Sequence, residues 1–445
     1  IGRCGGTVAL AAGATQTGFG RTGTVDWITT PKTVTFTAVS GEGYFCNTTA
    51  AILTVNLPAG AAGSIVSLAD YAATWQTYAV TVSPNGTEKI GSVNADVPLN
   101  TEGQSVTFVY VDSTQGWINT MDSTSNVRGN AFIAATGGTV LTNGNFKTHV
   151  FTGPETFCVS SGGDASGSNT VDYTVVAGGG GGANPTSYGG GGGSGGFRIS
   201  NSTGCVPAPT MSPLIAPAAL SITAGAYPIL VGAAGTAGSG PGAAPNGSVS
   251  TFSSITSAGG GGGAIGGCQG ADGGSGGGGS GGNPTPAPNT KQGGTGNTPS
   301  ESPPQGNNGG AGNPGTQAPT GGEGGGGGGA GAVGQDAPGP NAAGAGGAGS
   351  FVADIVIGPT APSYGESGPV LSTRYFGGGG GGGTDSSGAS RGAGGVGGGG
   401  QGAPSSAAGT INTGGGGGGS SHSGNPPSGG SAGGSGIVII RYKFQ

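Results

Sequence analysis

The sequence predicts an all-β fold: a sandwich-like β module, then a glycine-rich part of non-regular structure, with essentially no α-helix. Three observations support this prediction. Short runs rich in Val, Thr and Ile recur between residues 24 and 120, and turn residues separate them. Glycine accounts for 114 of 445 residues and gathers after residue 177 in uninterrupted blocks. Residues 436–444 have the apolar, β-branched composition of a strand that needs a sheet to join.

The β module is expected to span residues 24–121, after a lead-in segment at residues 1–23. Its runs are short and evenly spaced, which favours a sandwich or a trimer-forming β module over a helical domain. Ser83-Pro84-Asn85-Gly86 is typical of the turns that end these runs. The three tryptophans are interpreted as core or interface anchors, with sugar stacking as the alternative. They are Trp27, Trp75 and Trp117.

A hinge is expected at residues 122–138, where a polar stretch ends in a pair of glycines. The glycine-rich domain then spans residues 139–445. It opens with a hairpin pattern centred on Asn143-Gly144, a dipeptide that favours a two-residue β-turn. This hairpin and the apolar runs at 171–177 and 436–444 predict a small β base from which the glycine blocks extend.

The glycine blocks allow three interpretations. Gly/Ser chains normally behave as flexible linkers. Collagen needs Gly at every third residue with abundant Pro, a period that the blocks do not keep. The third interpretation is a bundle of extended helices with three residues per turn, the glycine counterpart of polyproline II. The blocks are residues 178–182, 189–193, 259–263, 276–279, 324–329, 377–383, 397–400 and 414–419.

Ordering one glycine rod alone is unfavourable. Fixing a backbone residue costs about 1–2 kcal/mol, whereas a hydrogen bond returns only about 0.5–1.5 kcal/mol net. In a bundle, segments without side chains approach closely, and every N–H and C=O group can find a neighbour. Because strand patterns flank the blocks, we favour packed rods over linkers. The polar segments between blocks, longest at 280–323 and 330–376, are then expected to be surface loops.

Composition excludes several classes of function. Twelve Lys and Arg against 18 Asp and Glu give a net charge of −6, which does not provide the basic stripe of a nucleic-acid partner. No apolar run approaches the roughly 20 residues of a membrane span, so membrane insertion is not expected. The five cysteines contain no C-x-x-C pair, so no metal site is predicted and free, mostly buried thiols are expected.

Two parts of the sequence resemble bacteriophage tail-fibre proteins. Residues 171–182, the later blocks and the ending at 434–442 resemble their glycine-rich domain. Residues 24–120, including Gly43-Tyr44-Phe45, resemble β modules that precede this domain in fibres of marine and cyanobacterial phages. The chain is also similar in principle to the distal adhesin of T-even-type phages, whose loops between polyglycine II rods contact the host. It departs from that adhesin in its extra β module and its longer segments between blocks.

The resemblance implies a virion protein that acts outside the host cell, as a homotrimer attached to other virion proteins. Its implied partner is a glycan or an outer-membrane protein of the host surface, which the segments between rods would bind. Tyr and Arg on a rigid scaffold suit such binding through stacking and forked hydrogen bonds. Packing over the rod ends is the alternative for Tyr364, Tyr375 and Phe376. The candidate residues are Tyr188, Tyr364, Arg374, Tyr375, Phe376, Asp385, Arg391 and His422.

No catalytic residue and no cofactor are predicted. G-x-G-x-x-G motifs are expected by chance in this composition, and no lysine follows a glycine as a phosphate-binding loop requires. A glycan depolymerase would need two carboxylates about 5–9.5 Å apart. Its candidates are Asp70, Glu88, Asp96, Glu366 and Asp385, which are scattered singly. A virion spacer without a receptor and a bacterial surface protein are two further hypotheses that the composition permits.

Overall fold

The computed structural model of the protein describes most of the chain, and its contacts divide the chain into two compact units, residues 1–129 and residues 130–445. The described residues are 25–123, 132–165, 167–184, 188–202, 206, 209–216, 218–240, 242–282, 291–313, 322–339, 341–358, 360–384, 390–421 and 429–445.

The first unit consists of two sheets around one core. The chain crosses between the sheets after each of its first five strands, so that three strands of each sheet run parallel. One sheet has the order β1-β3-β5-β8-β9, and the other has the order β2-β4-β6-β7. The strands are β1 Asp26–Lys32, β2 Phe36–Thr37, β3 Glu42–Cys46, β4 Leu53–Asn56, β5 Ile65–Asp70, β6 Val80–Ser83, β7 Val97–Leu99, β8 Ser105–Asp112 and β9 Gly116–Ser123.

Side chains from both sheets fill this core. Trp75 and Trp117 are fully buried in it, as expected of core anchors. Asp70 closes the loop beyond β5, because its carboxylate accepts hydrogen bonds from the backbone N–H groups of Trp75 and Gly103. Trp27 differs from the other two tryptophans: it is 43% exposed and stacks on Phe45.

The second unit begins with a strand base. Its largest sheet has the path β11-β12-β26-β14-β15-β16, with β17 paired to β14, and a second sheet has the order β10-β13-β18-β20-β21. The hairpin predicted at Asn143-Gly144 is confirmed, with Asn143 paired to Phe146. The strands are β10 Ile133–Thr136, β11 Thr139–Asn143, β12 Phe146–Phe151, β13 Glu155–Gly162, β14 Thr170–Val176, β15 Phe197–Ser200, β16 Ile215–Ala216, β17 Leu220–Ser221, β18 Gly225–Leu230, β19 Gly242–Ala243, β20 Ser250–Phe252, β21 Ile255–Ser257 and β22 Ala264–Ile265.

The rest of the base lies near the C-terminus. It comprises β23 Ser350–Ala353, the single-turn helix α1 Asp354–Ile357, β24 Glu366–Ser367, β25 Thr373–Phe376 and β26 Ile437–Lys443, with one 3₁₀ turn at Ala361–Ser363. The fold prediction is therefore confirmed: the described chain is essentially all-β, with several small sheets and no barrel. Strands also occupy both ends of the predicted hinge, because residues 122–123 end β9 and Ile133–Thr136 forms β10.

Most of the glycine blocks form extended rods, and some of these rods start or end at the strands of the base. The rod at 177–184 continues β14, and the rod at 189–196 returns into β15. The two rods are antiparallel: Ala177, Gly180 and Ala183 donate N–H groups to the carbonyls of Gly196, Gly193 and Gly190, at 3.1, 2.9 and 3.2 Å.

The rod at 178–182 lies inside a bundle, with neighbours on every side. Its N–H groups donate to three segments in turn, with a period of three residues. In order along residues 178–183, the accepting carbonyls belong to Ser248, Gly434, Gly193, Pro245, Ser431 and Gly190. Its Cα hydrogens face three other segments. A Cβ added at Gly178, Gly179 or Gly180 would lie 2.0, 2.0 or 2.2 Å from the carbonyl oxygens of Ala233, Gly415 and Gly261. Uninterrupted glycine is therefore required here, because every side of the rod touches backbone.

Rods at the surface of the bundle need glycine only at every third residue. In residues 232–238, the N–H groups of Gly235 and Gly238 donate to the carbonyls of the inner rod, at 2.8 and 3.0 Å. Ala233 and Thr236 face outward and are exposed. The period of three that the blocks lack thus does occur, over short stretches, where one side of a rod is covered and another faces solvent.

This pattern corrects the predicted loops. Residues 280–323 and 330–376 contain further rods: Gly309 donates to the carbonyl of Gly294, and Gly347 to that of Gly327. The prediction failed because a surface rod needs few glycines and so resembles a loop in sequence. In the other direction, the block at 397–400 is partly a turn, since Gly397 and Gly398 have φ of +103° and +91°.

Candidate functional site

The rods create two ends, because each described rod runs either away from the strand base or back toward it. We call the end opposite the strands the distal end, and we include in it only the described residues that link or terminate rods there. Contacts between different links hold it together. Gly189 donates its N–H to the carbonyl of Ser420, the hydroxyl of Ser420 contacts the carbonyl of Asn184, and Ala342 pairs with Ser390.

Glu323 is a buried carboxylate at the distal end, where it joins three rods. Only 2% of this residue is exposed. Its Oε1 accepts the backbone N–H of Asn341 at 2.7 Å, and its Oε2 accepts the side-chain amide of Asn313 at 3.2 Å. The carboxylate therefore satisfies polar groups at the ends of neighbouring rods, a structural role. The sequence signal was a single acidic residue at the edge of a glycine block.

Two larger polar side chains at the distal end are partly or fully exposed. Tyr188 is half-buried, and its carbonyl accepts the N–H of Gly281 at 2.9 Å, which fixes its backbone. Arg391 is exposed at the start of a rod. Lys291 adds a charge that the sequence analysis missed: its Nζ donates to the carbonyl of Gly282 at 2.5 Å, and burial lowers the pKa of its ammonium group.

The remaining described candidates lie at the strand end. Phe376 is fully buried and Tyr375 is 6% exposed, and Phe376 packs with Val176 and Ile437 in the core of the base. Tyr364 packs against the same core. Burial favours the alternative of packing for Phe376 and Tyr375, whereas a receptor contact of the half-buried Tyr364 stays a prediction.

The side chain of Arg374 is also hydrogen-bonded within the fold. Its guanidinium donates to the carbonyls of Tyr364 and Gly365, at 2.8 and 2.7 Å, and to the hydroxyl of Ser367 at 2.7 Å. These bonds hold the segment between β23 and β25 against β25. The structure thus separates the predicted set: Tyr188 and Arg391 lie at the distal end, and four residues lie at the base. Asp385 and His422 lie outside the described residues.

The candidate carboxylates of a depolymerase also have structural partners. Glu88 accepts the N–H of Gly60 at 2.8 Å, and Glu366 accepts the N–H groups of Gly397 and Gly398 at 2.7 and 2.9 Å. Asp96 accepts the hydroxyl of Ser83 at 2.7 Å. In the parts of the chain that the structure describes, no group of three or more His, Cys, Asp and Glu residues could hold a metal ion.

His149 and the cysteines are the remaining residues with potentially reactive side chains that we consider. His149 is fully buried in the base. Cys46 is buried, but Cys158 is exposed and Cys268 half-buried, so the expectation of mostly buried thiols holds for one of the three described free cysteines. Among the described helices, none has the length and apolar character needed to cross a membrane.

The rod lattice, the strand base and the closing strand β26 together make up the part of the chain that resembles known sequences. The model of a glycine-rich domain family matches residues 159–443. The chain belongs to this family. The match begins within β13 and ends at the last residue of β26, so this domain contains both the rods and most of the base and leaves out the β module. No match is found among curated proteins.

Proposed function

We propose that this glycine-rich domain protein is a non-enzymatic fibre protein or adhesin of a bacteriophage, which binds a receptor on the bacterial surface. The observation that carries the proposal is the gathering of rod links at the distal end. Of the described residues in these links, Tyr188 is half-buried and Ser390 and Arg391 are exposed, and a rigid scaffold of rods holds them, the arrangement that binding surfaces commonly use. The receptor would be a glycan or an outer-membrane protein.

Tyr188 and Arg391 are the described residues best suited to this contact. A tyrosine ring stacks on a sugar or a protein surface at low entropic cost, because only two side-chain torsions are fixed. A guanidinium adds paired hydrogen bonds to hydroxyl or carboxylate groups. Both residues follow or precede a rod, which holds their backbone in place before a receptor arrives.

The resemblance to tail fibres supports a proposal for the location and the assembly of the protein. The protein would belong to the virion, act outside the host cell, associate with other virion proteins and form a homotrimer. We assign it no cofactor, no nucleic-acid partner and no membrane insertion.

A structural virion spacer without a receptor is the second candidate. It is favoured by the bundle interior, in which backbone groups of one chain bond to each other. A rigid bundle of this kind can act as a spacer without any binding residue. A glycan depolymerase is a weaker candidate, because the carboxylates of Glu88 and Glu366 already accept backbone hydrogen bonds.

Binding of the labelled full chain to a panel of bacterial strains tests the proposal. We expect saturable binding to at least one strain, and a tenfold or greater loss of affinity in the double variant Tyr188→Ala, Arg391→Ala. The control is Leu371→Ala, because Leu371 is 84% exposed at the base end.

Binding to no strain of the panel would favour the spacer. Equal loss in the control would contradict the distal location. A decrease in the chain length of surface glycans during incubation would instead indicate the depolymerase.

A further inference from the structure

Three loops lie together at one end of the first unit. Strands β1, β3 and β5 run parallel in one sheet, and β2, β4 and β6 run parallel in the other. Because the chain crosses between the sheets after each of these strands, the segments that follow β1, β3 and β5 lie at the same end of the sandwich. We call these three segments, residues 33–35, 47–52 and 71–79, the loop end.

Side-chain hydrogen bonds connect the three segments. The hydroxyls of Thr48 and Thr74 bond to each other at 2.8 Å and join the second segment to the third. The hydroxyl of Thr35 accepts the backbone N–H of Thr54 at 3.1 Å, and Thr54 belongs to the strand that the second segment leads into. The loop end is therefore one continuous surface.

The segment 71–79 is held in one conformation by the residue before it. The carboxylate of Asp70 accepts the backbone N–H groups of Thr74 and Trp75, at 3.1 and 3.2 Å. Ala73 has φ of +56°, a left-handed conformation that residues other than glycine rarely adopt. Such backbone conformations persist where surrounding contacts enforce them, and they cluster at functional sites. The segment is thus ordered before any ligand arrives.

The loop end exposes large side chains but carries no charge. Tyr71 and Tyr78 are 54% and 38% exposed, and Ile52 and Val34 are 69% and 70% exposed. Single exposed apolar residues are ordinary, whereas several in adjoining loops indicate an interaction site. The three segments contain no Asp, Glu, Lys or Arg. Their exposed polar side chains are hydroxyls and one amide: Thr33, Thr35, Thr49, Gln76 and Thr77.

Charged residues border the loop end without belonging to it. The ammonium of Lys32 lies over two aromatic rings of the same unit, 5.4 and 5.6 Å from their centroids. Asp70 is buried and accepts the hydrogen bonds described above. Glu102 and Asp122 are exposed where β8 begins and β9 ends, at the same end of the sheet. These two carboxylates repel an anionic ligand, so the surface favours an uncharged one.

We infer that the loop end binds an uncharged oligosaccharide. The C–H faces of sugar rings pack on aromatic rings such as those of Tyr71 and Tyr78. Sugar hydroxyls exchange hydrogen bonds with threonine hydroxyls and with the amide of Gln76, whose Nε2 is fixed by donating to the carbonyl of Ala73 at 3.0 Å. Protein partners commonly bind through an arginine beside the aromatic residues, and the three segments have no arginine.

The positions of the two tyrosines set the length of the ligand. Tyr71 follows a strand of one sheet, and Tyr78 precedes a strand of the other. Packed sheets lie about 10 Å apart, so a ligand that contacts both rings is longer than a single sugar. This site belongs to the first unit and does not rest on the proposed receptor contacts of Tyr188 and Arg391.

Isothermal titration calorimetry of the full chain tests the inference. The probes are neutral oligosaccharides of glucose, galactose, mannose and N-acetylglucosamine, with oligogalacturonate as the charged comparison. At least one neutral probe should bind with a dissociation constant below about 1 mM, and the double variant Tyr71→Ala, Tyr78→Ala should lose about tenfold or more in affinity. The variant Tyr71→Phe, Tyr78→Phe keeps both rings and should retain most of the affinity.

The matched control is Trp27→Ala. It also removes an exposed aromatic ring of the same unit, but Trp27 lies near the start of β1, whereas the loop end follows the last residue of that strand. Its affinity should equal that of the wild type. Urea midpoints should be the same in the wild type and in both tyrosine variants, because the substituted side chains are exposed.

Three results would overturn the inference: no binding of any neutral probe, tighter binding of oligogalacturonate than of the neutral probes, or equal loss of affinity in Trp27→Ala. Loss of oligosaccharide binding in Tyr188→Ala, Arg391→Ala but not in the tyrosine variants would also overturn it, and would support the proposed function. Oligosaccharide binding that depends on Tyr71 and Tyr78, in a protein that binds no bacterial strain, would support the inference and contradict the proposed function.

Discussion

The two units of this protein are stabilised by opposite parts of the polypeptide. In residues 25–123 the interior is made of side chains, with Trp75, Trp117 and Phe108 buried between two sheets. In the rod bundle the interior is made mostly of peptide groups, because the inner rods consist almost entirely of glycine. The difference sets what each interior tolerates. A side-chain core is weakened by removing atoms, whereas a backbone core is weakened by adding them.

The bundle gives a physical account of the composition of the chain. Glycine has the largest backbone entropy to lose, so it is normally a poor residue for ordered structure. Here the inner rod at 178–182 is in contact with six neighbouring segments, and each of its residues donates its N–H to one of three of them. All-or-none order follows, because removing one rod leaves unpaired peptide groups in the rods around it.

Trp75→Ala should give the largest loss of stability. The substitution removes a fully buried indole and its Nε1 hydrogen bond to the carbonyl of Cys46, which measures 3.3 Å. Large-to-small changes of this kind cost about 3–5 kcal/mol. All three tryptophans lie in residues 1–129, so the fluorescence of Trp27 and Trp117 reports on unfolding of this unit in urea. An unchanged midpoint would contradict the side-chain account of this core.

Gly192→Ala should cost nearly as much, although it adds only one methyl group. The new Cβ would lie 2.1 Å from the carbonyl oxygen of Gly180, and the neighbouring rods cannot move apart without breaking other hydrogen bonds. Overpacking of a core costs about 1–3 kcal/mol, and a rigid backbone lattice belongs at the upper end of that range. Amide hydrogen exchange measured by mass spectrometry should show weaker protection across residues 178–193.

The control for this substitution is Ala233→Ser on a surface rod. Ala233 is exposed, so an added hydroxyl faces solvent and protection should stay unchanged. If the amide hydrogens of both variants exchange alike, the position of a residue within the lattice does not determine whether an added side chain is tolerated. If residues 324–329 and 377–383 are unprotected in the wild type, the lattice itself is disproved.

Much of this fold follows from the sequence, because strands and inner rods have distinct local patterns. The hairpin at Asn143-Gly144, the strand β26 and most of the glycine blocks could be predicted. Surface rods could not be, since a segment such as Gly232-Ala233-Ala234-Gly235 resembles a linker until its neighbours are known. The site residues were harder to predict for the same reason. In sequence Phe376 resembles an aromatic residue of a loop, but in the fold it is buried in the core of the base.

Acid should destabilise the base through His149, the smallest of the expected effects. Its Nδ1 lies 2.7 Å from the carbonyl of Gly137, and its Nε2 lies 3.1 Å from the hydroxyl of Tyr442. Burial lowers the pKa of His149; nearby Lys147 lowers it further, whereas Glu155 and the Gly137 carbonyl raise it. The neutral ring therefore donates to Gly137 and accepts from Tyr442, which joins β12 to the last strand.

The direction of this pH effect follows from the uptake of a proton by His149 on unfolding. Between the ordinary histidine pKa near 6.5 and the lower value in the fold, the unfolded chain binds a proton that the folded chain does not. The contribution of His149 is thus fully present above about pH 6.5 and declines as the pH falls through that interval. Urea midpoints measured from pH 7.5 to 5 should decrease more in the wild type than in His149→Phe, which fills the same aromatic site without titrating. Parallel curves for the two proteins would mean that this ring is not linked to folding.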